Sequence, residues 1–279
     1  MENQYSLRDY SQPYNWWGYR SSPDRPMSIV ELLRHGTLDS QVAAFLWMAM
    51  EQRASIIVAA TPQEAGKTTM LTALLDFLRP EIEMIYLRGW YERFEFLDEP
   101  RDPARTYLLS NEISSHLPIY MWGRGVRKVF EAAGAGFGIA GTVHAERAED
   151  VLRMLRHYPL EVPDSLLTEI DLVLSMSCRR DPKKPLHRVM HLQLVENQGG
   201  AAVPRTLASR DVIGTELQTS PGLLINALVK HFGLDRERAA HELAHRVAYL
   251  QRLMRSDTIS VRDVRQAINR FRASESVAL

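Results

Sequence analysis

The residues best suited to chemistry lie between Thr61 and Thr69, in the run Thr-Pro-Gln-Glu-Ala-Gly-Lys-Thr-Thr. Before them, Ile56-Ile57-Val58-Ala59-Ala60 reads as a buried parallel strand. After them, Leu71, Leu74, Leu75 and Leu78 mark one face of a helix stopped at Pro80. A strand, a loop and Gly-Lys-Thr at a helix start is how a chain cradles nucleotide phosphates. Backbone N–H groups and the positive helix end meet the anion, Lys67 reaches the outer phosphates, and Thr68 offers its hydroxyl to Mg²⁺. The candidate nucleotide-binding residues are thus Thr61, Pro62, Gln63, Glu64, Ala65, Gly66, Lys67, Thr68 and Thr69, with ATP and Mg²⁺ as ligands. Against the pattern G-x-x-x-x-G-K-[ST], Thr61 stands in place of the first glycine, and Glu64 puts a carboxylate into the loop. The competing expectation is an ordinary strand-turn-helix with a capping lysine.

Two further positions carry candidate catalytic groups. Thr106 to Ser110 forms an apolar strand that runs on to Asn111-Glu112. An acid at the carboxyl end of a strand beside a phosphate loop can polarise the attacking water or hold Mg²⁺ through water. The run Gly134 to Glu146 places His144 at the tip of a small-residue strand. Taken singly, each has a plain alternative: a loop acid for Glu112 and a structural hydrogen-bonder for His144.

The elements that must position these groups follow from patterning. The chain has 279 residues, with 34 basic and 34 acidic side chains, so its formal charge of zero points to no nucleic acid partner and no acidic membrane surface. One cysteine, Cys178, excludes an internal disulfide and a cysteine-built zinc site. No apolar run approaches the roughly 18 residues of a membrane span, and no signal-peptide core opens the chain. The expected location is cytoplasmic, with any membrane attachment supplied by a partner.

Residues 1–26, with Tyr5, Tyr10, Tyr14, Trp16, Trp17 and Tyr19, read as an aromatic arm. Residues 27–219 read as an α/β core. Ser28 to Glu51 is helical with a break at Gly36-Thr37. Short apolar runs at Met84–Leu87, Tyr107–Ser110, Gly138–Val143, Leu172–Met176 and Val189–Val195 then alternate with helices, which indicates a mainly parallel sheet. Gln198–Val203 reads as a Gly-rich joint, and residues 220–279 as a small helical domain broken at Gly233 and near Asp257–Ser260.

His241-Glu242-Leu243-Ala244-His245 matches H-E-x-x-H, a zinc-hydrolase pattern. Helical spacing opposes that use. Ala240, Leu243, Val247, Leu250 and Met254 form the expected core-facing stripe, which sends His241 and His245 toward solvent.

In order and spacing, the region from Ile29 to Glu196 resembles the motor ATPases of type II and type IV secretion and of pilus assembly, in the branch of tight-adherence pili and archaeal-type filaments. The resemblance rests on Ile29 to Phe45 as the helix pair before the loop, Asn111-Glu112-Ile113 as the Walker B strand end, Ala133 to Ala145 as the histidine box, and Asp150 to Arg153 as an arginine-bearing helix. It implies a RecA-like P-loop NTPase core that binds ATP and Mg²⁺, with Glu112 as the water-side acid and His144 as a nucleotide sensor. It also implies a homo-oligomeric ring, commonly a hexamer, working on a secretion or pilus platform protein of the inner membrane. An arginine from an adjacent subunit completes such sites, and Arg88, Arg93 and Arg124 are the candidates. Several family features are missing. Tyr86-Leu87-Arg88-Gly89-Trp90 replaces the acidic box, leaving Glu92 as the nearest acid; Ser114 replaces an arginine; Gly134-Ala135-Gly136 carries no histidine. The expectation is a reduced, divergent member without the usual N-terminal domain. The alternative is a non-hydrolysing regulatory or scaffolding paralogue in a mixed ring with a related ATPase.

Overall fold

Every residue of β1 (Ile56–Ala59) is buried, and successive side chains enter different cores. A strand covered on both faces reads as the unbroken apolar run seen here. Ile56 and Val58 join one apolar cluster, whereas Ile57 and Ala59 join a second on the other side of the sheet. The computed structural model describes residues 26–61, 64–179 and 185–277; the aromatic arm, Pro62, Gln63 and residues 180–184 lie outside the described residues.

Ahead of β1 come α1 (Ile29–Arg34) and α2 (Ser40–Glu51). Ser28 and Glu31 close a capping box on α1, and Asp39 caps α2 by accepting from Gln41 and Val42 N–H. After it follow α3 (Lys67–Leu75), β2 (Glu83–Tyr86), β3 (Thr106–Ile113), α4 (Arg124–Gly134), β4 (Gly138–Val143), α5 (Ala148–Arg156), α6 (Asp164–Leu167) and β5 (Leu172–Arg179). Then come β6 (Leu186–Gln198), β7 (Ala201–Ser209), β8 (Gln218–Thr219), α7 (Pro221–Lys230), α8 (Arg236–Arg255) and α9 (Val261–Val277). The strands form one sheet in the order β2-β3-β4-β1-β5-β6-β7-β8. The first five are mutually parallel, and β6 to β8 extend the sheet antiparallel from β5. The fold is therefore α/β with a mostly parallel sheet and a helical C-terminal region, as patterning predicts.

Two expectations need correction. The Gly-rich segment at Gln198–Val203 is not a joint but a tight hairpin: Gln198 pairs with Ala201, and the turn residues Gly199 and Gly200 sit at φ 64° and 89°. Two consecutive positive-φ positions are what a two-residue hairpin turn demands, and glycine meets both without strain. The core-facing stripe of α8 is also rotated. Its buried positions are Ala239, Leu243, Arg246, Leu250 and Leu253, while Ala240, Val247 and Met254 are only half-buried.

The rotation has an electrostatic cause in Glu51 at the end of α2. Glu51 accepts from Trp47 Nε1 at 2.7 Å and Arg272 Nε at 2.6 Å, and pairs with Arg246 Nη2 at 2.9 Å. Arg246 also pairs with Glu242 at 3.0 Å and Glu275 at 3.3 Å, and its guanidinium lies over Trp47 and Phe271. A buried acid on α2 thus draws a buried arginine inward and docks both α8 and α9 against α2. Removing Arg246 leaves the buried Glu51 with one cationic partner, Arg272, where it had two, in a site with little water. Arg246→Ala is expected to lower unfolding stability by about 3–5 kcal/mol, measured by urea denaturation.

Candidate functional site

The parallel strands deliver their carboxyl ends to one edge of the sheet, where ligands of α/β folds bind. Strand β4 lies between β1 and β3, pairing Val143 with both Ala59 and Ile113. Ala60 N–H extends the ladder by donating to Val143 C=O at 3.1 Å. The loop after β1, Glu112 near the end of β3 and His144 just past β4 are therefore brought together by strand order and register. This arrangement needs a slim β4: a Cβ at Gly138 would collide with the buried Tyr107 ring, whose hydroxyl donates to Ala54 C=O at 2.5 Å.

Lys67, Glu112 and His144 close into a triangle. Lys67 Nζ lies 3.6 Å from Glu112 Oε2 and 3.4 Å from His144 Nδ1, and His144 Nε2 lies 3.1 Å from Glu112 Oε1. The side chains of Lys67 and Glu112 are only 8% and 11% exposed, so this charge pair sits out of bulk water. An ammonium only donates. Nδ1 of His144 must therefore accept from Lys67, which leaves Nε2 to carry the proton and donate to Glu112. Burial pulls the Lys67 ammonium below its ordinary value, and Glu112 partly restores it. A pKa lowered by folding means that the folded chain binds fewer protons than the unfolded one. From this group, stability rises with pH in the window below the ordinary lysine value of 10.5.

The loop itself is shaped for an anion. Gly66 caps α3 from a left-handed conformation, φ 90°, and no side chain caps the first turn. The first intrahelical bond is Met70 N–H to Gly66 C=O at 2.9 Å, so the N–H groups of Lys67, Thr68 and Thr69 have no intrahelical partner. Such N–H groups, a buried ammonium and a helix N-terminus together fit a polyphosphate. The half-buried Thr68 supplies a hard oxygen of the kind Mg²⁺ prefers. Glu64 also adopts positive φ, 60°, at a cost glycine would avoid, and its side chain is exposed. Thr61 is exposed and Ala65 is buried.

Glu92 has another task. Its two carboxylate oxygens accept from Arg88 N–H at 3.0 Å and Phe94 N–H at 2.7 Å, so it organises its own loop. Of the arginines singled out in sequence, Arg124 is exposed at the start of α4, Arg93 is exposed and pairs with Glu95 at 3.9 Å, and Arg88 is half-buried. On α8, His241 and His245 are exposed. Glu242 is held by Arg238 and Arg246, and His245 by Glu275 at 2.9 Å, which occupies the groups an H-E-x-x-H hydrolase would need free.

Two histidines escaped sequence reasoning. His187 on β6 lies beside Gly66, with its Nδ1 buried and without a hydrogen-bond partner among the described residues. His116, in the loop after β3, stacks obliquely near His144 with ring centroids 6.1 Å apart. The only sequence signal for His116 is its position four residues beyond Glu112. For His187 there is none, because its approach to Gly66 depends on how the β6 strand is paired.

No family model matches the chain. Two uncharacterised proteins of Methanocaldococcus jannaschii are similar to it. MJ0900 is 26% identical over 194 residues, covering 63% of this chain and 35% of that protein. MJ1287 is 26% identical over 161 residues, covering 51% of this chain and 59% of that protein. The chain thus spans well under two thirds of the length of either curated relative. Among solved structures, the VirB11 ATPase of the Brucella suis type IV secretion system, determined with sulphate, superposes with a TM-score of 0.38 at 17% identity, over 72% of this chain and 57% of that one. The Legionella pneumophila ATPase DotB superposes with a TM-score of 0.36 at 11% identity, over 80% and 58%. Both are remote likenesses.

The Lys67–Glu112 contact should register as energetic coupling. In a double-mutant cycle of Lys67→Met and Glu112→Gln, read by urea denaturation, the paired substitution is expected to be less destabilising than the sum of the singles by roughly 0.5–3 kcal/mol. Simple additivity would show that the contact carries no energy.

Proposed function

We propose that this chain is an ATP-binding, ATP-hydrolysing subunit of a secretion or pilus-assembly motor. The observation that carries the proposal is the meeting of Lys67, Glu112 and His144 at the mouth of an uncapped, glycine-initiated helix. Three residues 77 positions apart at the extremes, singled out separately in sequence, converge where a nucleotide γ-phosphate would be handled. The motif order that resembles the secretion motors supports the same reading.

In that role the N–H groups of Lys67 to Thr69 bind the phosphates, and Lys67 exchanges Glu112 for the outer phosphate as its counter-charge. Thr68 would hold Mg²⁺, which neutralises phosphate charge when bound. Freed from Lys67, Glu112 orients the attacking water and accepts its proton. His144, bonded to both Lys67 and Glu112, loses or keeps those bonds according to what the lysine holds, and so reports nucleotide state to β4 and α5. A ring of such subunits, with an arginine donated in trans from among Arg88, Arg93 and Arg124, would convert turnover into movement of a platform protein at the inner membrane.

A second reading is favoured by Glu92. Both its oxygens are engaged by backbone N–H groups, which leaves Glu112 as the acid placed against Lys67. A subunit that binds ATP without turning it over, inside a mixed ring, would look the same. Mg²⁺-dependent phosphate release separates the two. The expected result is turnover by the wild type, none by Lys67→Ala, and a loss of ~10²–10⁴-fold in Glu112→Gln. Absence of turnover in a wild type that still binds ATP would select the regulatory reading.

A further inference from the structure

Among the described residues, one group of side chains offers converging metal-ligand atoms: Glu112, His116 and His144, with one ligand atom from each within 4.8 Å of the others. Two imidazoles and a carboxylate form a donor set unlike the oxygen shell that Mg²⁺ prefers. Such a set suits Zn²⁺ and neighbouring transition ions, and catalytic zinc uses two histidines and a glutamate in this way. From these three residues we infer a transition-metal site, separate in chemistry from the Thr68 position.

The two carboxylate oxygens of Glu112 face different partners. Lys67 faces Oε2 of Glu112, whereas Oε1 faces His144 Nε2 at 3.1 Å, where a proton now bridges the pair. A metal replaces that proton: Nε2–H is lost to solvent, and Oε1 and Nε2 become ligands. His116 is exposed and gives the ion an approach from solvent, while Glu112 is buried and His144 half-buried. The lysine on Oε2 opposes a second cation by charge, so the site is expected to strengthen when phosphate draws Lys67 away. The functional consequence rests on the ATPase reading: a metal on Oε1 takes Glu112 away from water and stops turnover. The site itself does not depend on that reading.

Calorimetric titration of the full chain with ZnCl₂ and with MgCl₂ tests the assignment, using wild type, His116→Ala and His241→Ala. Expected are one zinc per wild-type chain, a weakening of more than ~100-fold in His116→Ala (beyond the loss typical of an outer-shell partner), and no change in His241→Ala. Mg²⁺ binding should be indifferent to His116→Ala. Zinc bound equally by wild type and His116→Ala, or no zinc on the wild type, overturns the site. Zinc lost with His116 in a protein that shows no ATP turnover leaves the site standing and removes the ATPase reading alone.

Discussion

A buried ammonium must be neutralised, and the mouth of the loop between β1 and α3 is organised around that requirement. Lys67 sits at the start of α3, where its side chain is 8% exposed and burial disfavours its charge. Glu112 is the acid that answers it, and it reaches the site because β3 is one strand removed from β1. The intervening β4 makes room for the side chains of β3 through Gly138 and Gly141. A Cβ at Gly141 would stand 3.2 Å from that of Ser110. His144 then completes the triangle from the end of β4. The resting site is held together by the Lys67–Glu112 pair, so under the proposed function binding an anion at Lys67 and releasing the acid become the same event.

The second constraint lies behind the sheet edge. Glu51 ends α2, a few residues before β1, and collects Trp47, Arg246 and Arg272. This ties the C-terminal helices to the helix that feeds the loop strand. Asp76, at the end of α3, accepts from Arg265 of α9 at 2.8 Å. Both ends of the strand-loop-helix unit are therefore anchored to the helical tail, which shares one apolar cluster with α1, α2 and α3.

Much of this was legible in sequence, for identifiable reasons. β1 declared itself because a strand buried on both faces shows five apolar residues in a row. Glu112 and His144 declared themselves as polar residues closing apolar strands. What the sequence could not disclose depends on pairing between distant segments. Gly199-Gly200 has the composition of a linker and the geometry of a hairpin, and only the partnership of β6 with β7 decides. Arg246 counts as polar in any periodicity argument, and its burial requires Glu51, 195 residues away. Glu92 looked like a spare acid until its oxygens were seen on Arg88 and Phe94 N–H. His187 came beside Gly66 through strand order and register, which no local pattern encodes, and His116 meets His144 because β3 and β4 are neighbours.

The most direct test is equilibrium binding of a non-hydrolysable ATP analogue with Mg²⁺ to wild type and to Lys67→Ala. The expected result is saturable binding by the wild type and at least a tenfold loss in the variant, since the outer phosphates lose their buried cation. Equal affinity in the two proteins would contradict a phosphate role for Lys67 and return the loop to an ordinary strand-turn-helix.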